Sequence, residues 1–123
     1  MSPRNNHLDQ ARGNLSFAHY LLTHHATDPV SLQWAVTAAF YRAVHCMQAQ
    51  LLGRGVNPQD HRDRNWAIAD PANGVPPRVQ SAYRALFQFS IRARYRFGMF
   101  SPIWIRNRIF DRELKTVTDF VGI

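Results

Sequence analysis

Cysteine is all but missing from this 123-residue chain: Cys46 stands alone. That excludes an internal disulfide framework and a cysteine-based zinc cluster, and it suits a reducing compartment. Long apolar runs are missing too. None approaches the ~20 residues of a membrane span, and the opening Met-Ser-Pro-Arg-Asn-Asn-His has no signal-peptide core. The expectation is a cytoplasmic protein without a membrane partner. Acid is scarce, with 8 Asp and Glu against 15 Lys and Arg, and Glu113 is the only Glu. Paired-carboxylate acid–base chemistry is therefore disfavoured. With no Gly-x-Ser-x-Gly and no glycine-rich phosphate loop, serine-triad and P-loop chemistry lack their motifs, and nothing calls for a cofactor.

What is present is a globular composition, 46% apolar and 12% aromatic, in a length that suits one domain over residues 1–123. The net charge of +7 is carried almost wholly by arginine, Lys115 being the only Lys. Arginine suits planar, bidentate contact to phosphate and stacking on aromatic faces. A GC-rich genome produces the same bias, so the ratio alone decides nothing. Location says more: from Pro71 to Phe110 there are seven arginines (78, 84, 92, 94, 96, 106 and 108) and no Asp or Glu.

The periodicity is helical throughout. Leu8, Ala11, Leu15, Ala18 and Leu22 form one stripe and predict a helix from about Asn6, as N-cap, to Thr23. Asp28-Pro29 reads as an N-cap followed by proline at the first helical position, opening a second helix to about Leu52 that Gly53 and Gly55 terminate. Asp60 caps a short helix from His61 to Ala69, which Asp70-Pro71 stops. A fourth helix is predicted from Pro77 to Phe97, ended by Gly98, and a last one from Ile105 to Val121 with Phe110, Leu114, Val117 and Val121 on its inner face. No strand is predicted. The expected fold is an all-α antiparallel bundle of four long helices and a short one.

This order of patterns resembles the HEPN superfamily, small α-helical domains that include RNA-cleaving toxins and RNA-binding partners. The residues that carry the resemblance are Ala11-Arg12-Gly13-Asn14-Leu15 through Leu21-Leu22, the aromatic-rich Trp34–His45 helix ending in Leu51-Leu52, the polar His61-Arg62-Asp63-Arg64-Asn65, and the closing Ala93-Arg94-Tyr95. It covers about residues 8–97. The resemblance implies a homodimer. It also implies that a nuclease of the family would carry an Arg followed, after four to six intervening residues, by a His, the two lining a dimer cleft. The nearest match here is Arg106-Asn107-Arg108-Ile109-Phe110-Asp111, which puts Asp111 in the place of the His. An aspartate is ionised at neutral pH, donates no proton and repels phosphate. The departure argues against nuclease activity.

Among the residues themselves, His61-Arg62-Asp63-Arg64-Asn65 opens a helix and suits an anion. The alternative is that Asp63 pairs with an Arg while His61 and Asn65 brace a junction. Tyr41, Arg42 and His45 are the expected neighbours of this segment, His61, Arg64 and His45 being the catalytic candidates if any chemistry is present. Tyr41 and His45 share one helical face, where a His is more often a hydrogen-bonded core residue than an acid–base catalyst. His19, His24 and His25 lack the spacing and the acidic support of a metal site, so no metal is expected. Arg92, Arg94 and Arg96 interleave with Tyr95 and Phe97, and Arg106 and Arg108 follow; this pattern suits single-stranded nucleic acid, or equally a solvated surface that faces an acidic protein. The function expected is thus a non-catalytic binding domain with a basic face for an anionic ligand such as RNA. The alternatives are a divergent, metal-independent ribonuclease and a structural, antitoxin-type partner of an acidic protein.

Overall fold

The computed structural model describes residues 2–95 and 100–123, and among these the secondary structure is entirely helical. The long helices are α1 (Pro3–His24), α2 (Pro29–Gly53) and α4 (Pro77–Tyr95), with the short α3 (His61–Ala69) and a 3-10 turn (Pro71–Asn73) between the last two. The C-terminal segment runs through α5 (Pro102–Trp104), a π-helical stretch (Ile105–Leu114) and α6 (Lys115–Val121). Helical backbone at Trp104, Ile105, Leu114 and Lys115 joins the three pieces. No helix among the described residues is long and apolar enough to cross a membrane.

Local chemistry explains most of the boundaries. The Asp28 side chain accepts from the Val30 amide at 3.3 Å and from the Ser31 hydroxyl at 2.6 Å, holding the start of α2 at Pro29. At the other end Gly55 takes a left-handed φ of 82°, so that its N–H reaches the Leu52 carbonyl and the Val56 N–H reaches Leu51. These are the paired bonds of a Schellman ending. Two expectations need correction. α1 begins at Pro3, because Ser2 rather than Asn6 is the cap and accepts from the Asn5 amide at 3.1 Å. The C-terminal segment begins at Pro102 behind a Ser101 cap, and its central ten residues are wound as a π-helix. The wider turn brings Ile105, Ile109, Leu114 and Val117 into the core, while Phe110 is only half-buried. The expected Phe97 face and Gly98 stop of the fourth helix lie outside the described residues.

α2 is the central element and touches α1, α3, α4 and the C-terminal segment. Its Val36, Phe40, Met47 and Leu51 are fully buried, together with Leu22 of α1 and Val79 and Leu86 of α4. Each such side chain contributes about 1.5–3 kcal/mol by leaving water. Ala11 and Ala18 of α1 and Ala35, Ala39 and Ala43 of α2 are also fully buried; residues this small let helix axes approach closely. Within this packing two polar side chains are buried where α3 meets α2, Gln48 and Arg64.

Candidate anion-binding site

α3 is held in place by Asp60, which accepts from the Asp63 amide at 2.8 Å. His61 and Arg64, one turn apart, then share a face. Arg64 is buried, 8% exposed. Its Nε donates to Gln48 Oε1 at 3.0 Å, and its Nη1 lies 3.1 Å from His61 Nδ1. Gln48 is oriented for this contact because its amide nitrogen is already committed to Asn57 Oδ1 and to the Pro58 carbonyl. A guanidinium has only donors, so His61 Nδ1 is the acceptor and, in the neutral ring, Nε2 carries the hydrogen. Burial holds the His61 pKa below the usual histidine value, and the charges of Arg64 and Arg94 lower it further against a weaker pull from Asp60.

Around this pair lies an aromatic floor. The His61 ring is 5.7 Å from Phe40, 5.9 Å from Phe87 and 6.0 Å from Tyr41. Tyr41 Oη accepts from Arg94 Nη1 at 3.2 Å, bringing the α4 arginine to the same place. Tyr83 Oη is buried and meets no hydrogen-bond partner among the described residues. Burial pushes its pKa up to about 12, while the nearby Arg64 guanidinium pulls the other way. On the far side His45 stacks on His7 of α1 with ring centres 5.1 Å apart and the two Nδ1 atoms 2.8 Å apart. Only one of these nitrogens can bear the hydrogen, so the contact excludes two protonated rings. Burial, then the charges of His7 and Arg64, push His45 down to about 4, and His7 is lowered by burial and Arg64.

The cluster therefore gathers two guanidiniums and three imidazoles with no salt-bridged carboxylate. The ion pairs among the described residues are Arg12–Asp9, Arg108–Glu113, Arg112–Glu113 and Lys115–Asp119, all elsewhere. Beside it, Asn65 and Ile68 of α3 and Tyr83, Arg84, Phe87 and Gln88 of α4 line a cavity of about 270 Å³.

No family model, curated protein or solved structure matches this chain.

Of the residues singled out in the sequence, His61, Arg64, Tyr41, His45 and Arg94 are brought together, and Asn65 lines the adjoining cavity. Arg62 is exposed on α3. Arg42 is turned away: it is buried, and its Nη1 donates to the Ala11 carbonyl of α1 at 3.1 Å. Arg92 is exposed and lines a separate cavity with Phe100, Ser101 and Trp104. Arg106 lies 3.5 Å from the Leu22 carbonyl, and Arg108 is paired with Glu113 at 3.0 Å. Arg96 lies outside the described residues. Asp111 is exposed on the π-helical stretch. Sequence reasoning missed Gln48, Tyr83 and His7. Gln48 was discoverable as a polar residue within an apolar helix, and His7 follows once Ser2-Pro3 is read as the start of α1. The buried Tyr83 hydroxyl has no local signal.

Proposed function

We propose that this chain is a non-catalytic, HEPN-like helical bundle that binds RNA through the face where α2, α3 and α4 meet. The observation that carries the reading is Arg64, a buried guanidinium whose partners, Gln48 and His61, are neutral. Removing a cation from water costs several kcal/mol unless an opposite charge compensates. A phosphate reaching Arg64 and Arg94 supplies that charge. The exposed arginines of the acid-free stretch, Arg78, Arg84 and Arg92, extend the same field over the surface. The bundle arrangement is supported by the contacts of α2 with every long element and by the short connections. A homodimer belongs to the reading, and exposed Phe17, Tyr20 and Val30 supply apolar surface for it. A reducing, cytoplasmic setting suits Cys46, which is buried with its thiol pushed up to about 11 and so is poorly reactive.

The test is RNA binding at two salt concentrations. Affinity should fall steeply as salt rises, with each phosphate contact adding about 0.7 to the log–log slope for a single strand. Absence of binding at low salt refutes the reading, and co-purification of an acidic protein after nuclease treatment favours protein docking instead. A second reading, a divergent ribonuclease, is supported by one observation: His61 is a low-pKa imidazole in direct contact with an arginine. Cleavage of long RNA that disappears in His61→Ala would establish it.

A further inference from the structure

Arg94 also faces a second cavity, of about 290 Å³, lined by Gln33, Trp34 and Thr37 of α2 and by Ala93, Arg94 and Tyr95 of α4. Two of these residues are large aromatics left in water: Trp34 is 55% and Tyr95 71% exposed. Single exposed aromatics are ordinary, but here two of them line one cavity together with an arginine, the residue types on which unpaired bases stack. The arginine is held from its inner side, with Nη1 on Tyr41 Oη and Nη2 3.5 Å from Ser90 Oγ, and its Cζ lies 5.6 Å from the centre of the Tyr95 ring. Its Nε is buried and has no partner among the described residues. No carboxylate of the described residues pairs with it. The volume is near the lower end of ligand pockets, roughly 300 Å³, which admits one flat ring and excludes a duplex. Gln33 offers both a donor and an acceptor to the edge of such a ring.

We infer that this cavity takes one unpaired base of a single-stranded RNA, stacked against Trp34 and Tyr95, with the adjoining phosphate on Arg94. The inference rests on the RNA-binding reading and adds to it a preference for single strands. Stacking suits any base, because every base has a π-face, so the recognition tolerates sequence. Charge complementarity selects the occupant, since a neutral or basic peptide gains nothing from Arg94.

The experiment measures binding of a fluorescein-labelled oligouridylate hexamer and of an RNA hairpin duplex by anisotropy. Trp34→Ala should weaken the hexamer roughly 5- to 100-fold and leave the duplex within about twofold, whereas Trp34→Phe, which keeps a stacking face, should stay within about threefold. Tyr95→Ala should weaken the hexamer in the same direction. Trp34 is more than half exposed, so circular dichroism should report an intact fold in each variant. If both alanine variants bind the hexamer within about twofold of the unmutated protein, the inference is overturned while RNA binding stands. If the unmutated protein binds neither probe at low salt, both fall. Displacement of the hexamer by an oligoglutamate peptide at comparable concentration marks a site for acidic protein and also overturns it.

Discussion

Two arginine-rich regions of the molecule make opposite use of the same side chain. On the C-terminal segment Arg108 and Arg112 both reach the carboxylate of Glu113, at 3.0 and 3.6 Å, and the Arg108 guanidinium also lies over the Phe89 ring. The two share that one carboxylate, Arg108 half-buried against it and Arg112 largely in water. Where α2, α3 and α4 meet, Arg64 and Arg94 have glutamine, histidine, tyrosine and serine partners and no carboxylate. Arg108 and Arg94 belong to the same acid-free stretch of sequence, yet one is paired by a residue just beyond its end and the other is left positive. Density of charge along a chain is thus a poor guide to available charge; the partners decide.

The largest expected effect removes the floor on which the unpaired region rests. Phe40 is fully buried and its ring adjoins those of Tyr41, His61, Tyr83 and Phe87. Phe40→Ala should cost about 3–5 kcal/mol in urea unfolding, and a loss below about 1 kcal/mol would show that the cluster holds itself together.

Next comes the paired region. Glu113→Gln leaves two guanidiniums without their carboxylate and should destabilise the protein by about 1–3 kcal/mol, with no loss of RNA affinity. A parallel loss of RNA binding would erase the contrast between the two regions.

Acid should act on the unpaired region selectively. The pKa values of His7, His45 and His61 are lower in the folded protein than the usual value of about 6.5. The unfolded chain therefore binds these protons more readily. Stability should be full above about pH 6.5 and should decline as pH falls toward 4, by about 1–2 kcal/mol because these rings remain partly in water and are screened. Urea midpoints at pH 7, 5.5 and 4.5 measure it, and His45→Gln should flatten most of the decline. The smallest expected change in stability is that of Arg64→Met. Replacing an uncompensated buried cation by an apolar chain of similar length should leave stability within about 1 kcal/mol or raise it, whereas a loss of several kcal/mol would make Arg64 a structural residue.

Much of the frame was legible in the sequence, because caps and stops are local chemistry. Asp28-Pro29, Asp60 and Gly55 act where their residue types predict. The π-helical winding was not legible: burying Ile109 and then Leu114 five residues later follows from how the segment packs on α2 and α4, whereas the sequence also fits an ordinary helix with Phe110 inside. The candidate site divides in the same way. His61 and Arg64 are neighbours along one helix, and Tyr41 and His45 along another, so each pair was readable from spacing. Their meeting, the Gln48 acceptor, the His7 stack and the inward turn of Arg42 toward Ala11 depend on how separate helices align. No local pattern encodes that alignment.

The central claim is that the uncompensated arginines of the α2–α3–α4 face bind an anionic strand while those of the C-terminal segment do not. Anisotropy titration of single-stranded RNA against the unmutated protein, Arg64→Met and Arg108→Met, at two salt concentrations, tests it most directly. The account predicts that Arg64→Met loses at least about tenfold in affinity and lowers the salt slope by roughly one contact, while Arg108→Met stays within about threefold. Equal losses in the two variants, or none in Arg64→Met, would contradict it.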